Sequence, residues 1–285
     1  MGQYFKGYYF KCCQGNQSIA LIPALHSDGK NQTASLQIIT EDGAYAIPYP
    51  DISFSDKPFR IQIGENRFSS KGILLNACPD GLKISGRLRF GSLEKPKYDI
   101  MGPFRHVPFM QCRHSVVSMG HSVTGRLQLQ HLADKHSLTY DFKNAFGYIE
   151  GDRGRSFPRE YAWTQCHFRD ASLMLAVADV PFAGFRFRGI IGFVMLGDRE
   201  YRIATYLGAK VIFAGNNEIL VKQGKYTLYA RLIHARHQGL NAPVKGRMIR
   251  TIHESVACRA YYRFTCENKI LLEFTSDRAS FEYEL

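Results

Sequence analysis

The feature that most narrows the fold is an alternation of apolar and polar residues with a period of two, broken at short intervals by turn signals. Phe59, Ile61 and Ile63 enclose Arg60 and Gln62, Leu82 and Ile84 enclose Lys83, and Leu88 and Phe90 enclose Arg89. A chain written this way buries one face of each β-strand and wets the other. The breaks fall at hairpin spacing, at Asp42-Gly43, Gly64-Glu65-Asn66, Leu196-Gly197-Asp198 and Gly215-Asn216-Asn217. The pattern predicts a meander of antiparallel strands, which hides its edges by closing into a barrel or packing as a sandwich. No stretch carries the period of a sustained amphipathic helix. Twenty Phe and 16 Tyr against one Trp, together with 25 Gly, agree with strands joined by tight turns.

At 285 residues and 45% hydrophobic, the chain has material for one large β domain or two modest ones, and two are preferred. Residues 143–160, rich in Gly and charge, separate two series of strands. The boundary is placed at residues 155–163, giving expected domains at residues 1–160 and 161–285. No repeat is legible and no low-complexity linker marks the joint, so a tight interface between the domains is expected.

The formal net charge of +12 raises the question of a nucleic-acid partner. The surplus is six charges in residues 1–160 and six in residues 161–285, and no run of five like charges occurs. An evenly spread surplus reads as a solvated surface, so no nucleic acid is expected, and attraction to an anionic membrane surface is the secondary reading. Seven cysteines, Cys12, Cys13, Cys78, Cys112, Cys166, Cys258 and Cys266, form no C-x-x-C pair, which argues against a disulfide framework and against zinc. Residues 1–10 lack the plan of a signal peptide, and the greasiest segments are too short to span a bilayer. A cytoplasmic protein with reduced thiols is expected.

Three segments could carry chemistry. In residues 107–121, parity puts Cys112, His114, Val116 and Ser118 on one strand face, while His121 points the other way unless a bulge intervenes. The bland reading of His114 is a hydrogen-bonded core histidine. In residues 146–158, Tyr148, Glu150 and Asp152 share a face if the segment is extended. On an apolar cavity wall, desolvation and mutual repulsion would keep one carboxyl protonated as a proton donor; in a turn, Asp152 would only cap backbone amides. Tyr161, Trp163, Gln165 and His167 also share a face and could floor a pocket or simply pack a core. No phosphate loop, dinucleotide fingerprint, nucleophile elbow or zinc motif is present, so no cofactor or metal is demanded.

The same segments resemble the tocopherol cyclase family. The likeness runs through residues 4–11, through Pro108-Phe109-Met110 with Cys112, His114 and Met119, and through Gly147-Tyr148-Ile149-Glu150 with Asp152 and Ser156-Phe157-Pro158. It continues in Trp163 with Gln165-Cys166, Ala204-Thr205-Tyr206, and Ala242-Pro243 with Gly246 and Met248. The resemblance implies two lipocalin-like (calycin-like) antiparallel β-barrels, akin to carotenoid hydratases, with a ligand site in or between them. It implies an apolar prenylated aromatic or isoprenoid ligand and cofactor-free addition of a phenol across a prenyl double bond. On that reading Asp152 or Glu150 is the acid, Trp163 and Tyr148 shelter the cation, and His114 accepts the phenolic proton. Gln165, His121 and Gln111 join the ligand contacts. The family pattern carries acids where this chain has Gln111 and Gly120, and Trp where it has Arg153, so altered chemistry or a non-catalytic carrier is the alternative expectation.

Overall fold

The computed structural model describes residues 2–79, 81–108, 110–132, 137–182 and 185–285. Phe109 of the family-like motif lies outside them. The all-β architecture read from the alternation is what the chain adopts: two large curled antiparallel sheets, and no α-helix among the described residues. Among these residues, no helix is long and apolar enough to cross a membrane.

The first sheet comprises β1 (Gln3–Gln14), β2 (Gln17–Asp28), β3 (Gln32–Ile39), β4 (Ala44–Tyr49), β5 (Ser53–Asp56), β6 (Phe59–Ile63), β7 (Asn66–Ser69), β8 (Gly72–Ala77), β9 (Leu82–Phe90), β10 (Cys112–His131) and β11 (Ser137–Gly154). The second comprises β12 (Tyr161–Phe168), β13 (Ala171–Phe182), β14 (Phe185–Leu196), β15 (Arg199–Ala204), β16 (Lys210–Gly215), β17 (Glu218–Gln223), β18 (Tyr226–His234), β19 (Gln238–Val244), β20 (Arg247–Cys266) and β21 (Lys269–Glu284). All four turn signals named above join consecutive strands, at β3–β4, β6–β7, β14–β15 and β16–β17. The two sheets repeat one plan: four strands meander outward, and the first strand returns to pair with the last, β1 with β11 and β12 with β21. The sequence carries no matching repeat, because the plan constrains only which positions are apolar.

Each sheet wraps its own core. Phe10, Ile19, Leu36, Phe68, Leu127 and Ile149 belong to the first, and Cys166, Leu175, Val194, Val221, Phe264 and Phe281 to the second. A third core lies where the sheets meet, with Tyr9, Ala20, Met119 and Tyr148 from the first and Trp163, Met174, Leu240 and Val256 from the second. Strands at this contact are covered on both faces. On β1, Phe10 and Cys12 enter the first core while Tyr9 and Lys11 face the opposite way, and residues 9–13 are buried without interruption. On β12 all six residues from Tyr161 to Cys166 are buried. A strand buried twice loses the solvent that would otherwise accommodate polar side chains, so each polar residue there needs a partner inside the protein.

Candidate active site between the barrels

A cavity of about 190 Å3 opens between the two sheets. Its apolar lining includes Ile22, Ala176, Ala178, Ile191, Leu240 and Ile252, with His26, Gln37 and Asn241 among them. Aromatic faces form its rim and floor, with Tyr9 edge-on to Trp163 at 5.5 Å, Phe5 edge-on to Phe157 at 5.4 Å, and Phe157 edge-on to Tyr161 at 6.0 Å between ring centroids. The lining also carries the carboxyl groups of Glu150, Asp152, Glu254 and Glu282 together with His114, which form its acidic wall.

The first part of that wall follows from strand pairing. β10 and β11 set His114 opposite Asp152 and Val116 opposite Glu150. His114 Nδ1 lies 3.0 Å from Asp152 Oδ1, and its Nε2 lies 3.2 Å from Glu150 Oε2, the latter an ion-pair contact outside hydrogen-bond alignment. Burial alone would lower the His114 pKa, but the Asp152 and Glu150 charges outweigh it and hold the pKa well above the ordinary histidine value. That direction favours the protonated ring, which has no lone pair left to accept a further proton.

Glu150 Oε2 also accepts hydrogen bonds from Tyr148 Oη at 2.6 Å and Trp163 Nε1 at 3.2 Å. Asp152 accepts a weak one from Cys112 Sγ at 3.5 Å. The strand geometry rules out the turn-capping reading of Asp152, because β11 continues extended to Gly154. Gly151 lets this wall form. A Cβ there would stand 2.6 Å from the Tyr8 ring, so only glycine leaves Tyr8 against the strand between the two acids.

The second part comes from β20 and β21, where Glu254 and Glu282 are directly opposite each other in register. Glu254 is buried, at 1% exposure. Glu282 is partly exposed at its strand end, while its carboxyl group is enclosed and accepts a hydrogen bond from Tyr161 Oη at 2.5 Å. Burial raises the Glu254 pKa to about 7, with a hydrogen bond from Tyr9 opposing and the Glu150 charge reinforcing the shift. Burial and then the Glu254 charge push Glu282 well above the usual carboxylate range. Tyr9, Tyr148 and Tyr161 are each driven well above the usual phenol value, first by burial and then by the adjoining carboxylates.

The structure brings together Asp152, Glu150, His114 and Trp163 at the cavity, with Tyr148 behind Glu150 as its hydrogen-bond donor rather than on the cavity surface. Three other predicted ligand contacts stand elsewhere. His121 points away from His114, as parity requires, because the two register shifts between them each add one residue to β10 and together restore the alternation; it packs against Phe90 and bonds Ser118 inside the first barrel. Gln111 clamps the segment after β11, its side chain donating to Phe157 O at 2.9 Å and its carbonyl accepting from Arg155 N at 2.9 Å. Gln165 shares the Trp163 face but lies beyond the cavity, fully buried, with neither end of its amide hydrogen-bonded. At Gly120, a Cβ would meet Glu94 Oε2 at 2.7 Å, so a carboxylate from the loop after β9 occupies the space beside it. Arg153 is directly opposite both Lys6 and Arg113 and lines a polar hollow that shares His114 and Asp152 with the cavity.

Glu254 and Glu282 were missed by sequence reasoning. A signal for Glu254 exists: Ile252 and Val256, two residues either side, put it on an apolar face. Glu282 has none, since Ser280, Glu282 and Glu284 read as a solvent face and only docking of the first sheet buries it.

The donor atoms of His114, Glu150 and Asp152 lie within 4.8 Å of one another, the spacing of a metal-ligand set.

No family model and no curated protein sequence matches the chain. Solved structures do. CghA with Sch210972 superposes with a TM-score of 0.67 at 9% identity, covering 99% of this chain and 89% of CghA. A second crystal structure of CghA gives 0.66 at 10%, covering 99% and 88%. An ATTH-type protein of Nitrosomonas europaea (NE1406) gives 0.51 at 6%, covering 100% and 93%. At such identities the likeness is one of fold, and the tocopherol cyclase resemblance rests on motif order alone. The chain therefore shares with CghA and NE1406 a double β-barrel fold, and its chemistry must be argued from its own cavity.

Proposed function

We propose that this protein is a cofactor-free cyclase that closes a ring on an apolar, prenylated aromatic or polyene substrate held between the two barrels. The observation that carries the reading is one cavity whose lining combines apolar and aromatic side chains with four carboxyl groups. An isoprenoid chain gains by burial against the apolar side chains, and that burial expels water from the carboxyl groups. CghA, of the same fold, is known with the small molecule Sch210972, which supports a ligand site in this architecture.

The chemistry is an isomerisation without redox change. A carboxylic acid of the wall gives its proton to the less substituted carbon of a prenyl double bond, leaving a tertiary cation. The faces of Trp163, Tyr9 and Phe157 shelter that cation, and the negative wall offsets its charge. The phenolic oxygen attacks the cation, and its proton passes to a carboxylate, for which Glu150 and Asp152 are the acceptors in place of His114. His114 holds those two carboxylates in position.

Incubation of the purified protein with a prenylated hydroquinone, followed by mass-resolved chromatography, tests the reading. A chromanol formed by the wild type and lost in Glu150→Gln or Asp152→Asn supports the cyclase. Binding of the hydroquinone without product overturns it in favour of a carrier that uses the same cavity.

A further inference from the structure

We infer that Glu254 and Glu282 form a proton-sharing carboxyl pair, and that this pair is the acid that protonates the substrate alkene. The inference rests on the cyclase reading and assigns its proton donor, which neither the motifs nor the fold relatives identify.

The geometry forces the sharing. The two residues are directly opposite each other on neighbouring antiparallel strands, where like charges repel. Here that position is walled off by Tyr9, Tyr161 and Trp163 instead of water. Two ionised carboxylates in such a place would each lack solvent and face the other's charge, so at least one proton stays on the pair.

The surrounding charges relieve it only in part. Glu150 and Asp152 add negative potential, and His114 is engaged with those two acids. Lys11, buried on the same interface with its ammonium donating to Arg278 O at 2.8 Å, opposes the shift at Glu254, but burial outweighs it. Tyr161 donates to Glu282. Tyr9 lies between Glu254 and Ser280 Oγ, the latter at 3.0 Å.

What marks the pair as a donor, and not only a structural contact, is Glu254 Oε1. It is buried without a hydrogen-bond partner in a residue that lines the cavity. An unpartnered buried polar atom is costly, and a bound ligand is one way to recover that cost. Glu150 differs, because one of its oxygens already accepts from Tyr148 and Trp163. In the step, the O–H bond of the pair breaks as a C–H bond forms on the alkene. The second negative charge left on the pair then faces the new carbocation. Ring closure releases the phenolic proton to Glu150 or Asp152, from which it returns to the pair, so no net acid is consumed.

Two measurements on the full-length protein test the assignment. Infrared difference spectroscopy of wild type against Glu254→Gln and Glu282→Gln at about neutral pH reads the C=O stretch of a protonated carboxyl. The pair predicts such a band in the wild type and its loss or displacement in either variant; its absence overturns the shared proton whatever the protein catalyses. Turnover of a prenylated hydroquinone is expected to fall at least about 100-fold in each variant, as for loss of a general acid, with substrate binding, read from quenching of the lone Trp163, within about threefold of wild type. Normal turnover in both variants overturns the assignment and leaves the cyclase reading intact. Absence of turnover in the wild type, with the band present, overturns both the cyclase reading and the catalytic role of the pair.

Discussion

Replacing Glu254 by Gln should make the protein more stable at alkaline pH while changing little at acid pH. The Glu254 pKa lies at about 7 in the folded protein against an ordinary value of 4.5. Below about pH 4.5 the carboxyl is neutral in both states and imposes no electrostatic cost. As the pH rises toward 7 the unfolded chain loses its proton first, so the folded state binds more protons and stability falls; above about pH 7 the loss is complete. A difference of roughly 2.5 pKa units corresponds to about 3 kcal/mol at 1.36 kcal/mol per unit. Gln keeps the shape and stays neutral, so this penalty disappears. Thermal unfolding of both proteins at about pH 5 and about pH 8.5 supplies the comparison, and titration of other groups cancels in the difference. The gap in Tm between variant and wild type should grow by about 6 °C from the lower pH to the higher, at about 2 °C per kcal/mol for a chain of this size. The Glu254→Gln, Glu282→Gln double variant should gain more at alkaline pH than the single, because burial as well as the Glu254 charge raises the Glu282 pKa. A Tm gap that stays constant across this range would mean that Glu254 ionises like a surface acid, and the argument from its burial beside Glu282 would be wrong.

Two further outcomes follow from the same wall. His114→Ala removes the partner shared by buried Glu150 and half-buried Asp152 and should cost about 3 kcal/mol in urea unfolding at neutral pH, with much of the loss recovered when Asp152→Asn is added. Gly151→Ala places a methyl group 2.6 Å from the Tyr8 ring; it should destabilise by about 1–3 kcal/mol and alter the near-ultraviolet circular dichroism of the aromatic residues.

Strand pairing was legible wherever a strand has one wet face. The alternation of Phe59, Ile61 and Ile63 and the turn at Gly64-Glu65-Asn66 anticipate β6 and β7. Parity also put Tyr148, Glu150 and Asp152 on one face of β11 and Trp163 among the cavity-facing residues of β12. Register was not legible. Nothing local sets His114 against Asp152, 38 residues later, because pairing of β10 with β11 depends on bulges that parity cannot locate. Parity also assigns a face without assigning a depth, so Gln165 shares the Trp163 face and still misses the cavity. Glu282 lies at the opposite limit, a residue whose neighbours read as solvent-facing and whose burial is supplied by the other barrel.

The most direct test of the central claim, proton-initiated ring closure in the inter-barrel cavity, is to run the cyclisation in deuterium oxide and locate the label in the product. Protonation of the alkene by an acid that exchanges with solvent predicts one non-exchangeable deuterium, bonded to the carbon beside the newly formed C–O bond, and its formation should be lost in Glu254→Gln. A cyclised product with no deuterium at that carbon would contradict the account, because ring closure would then proceed without a proton from the carboxyl wall.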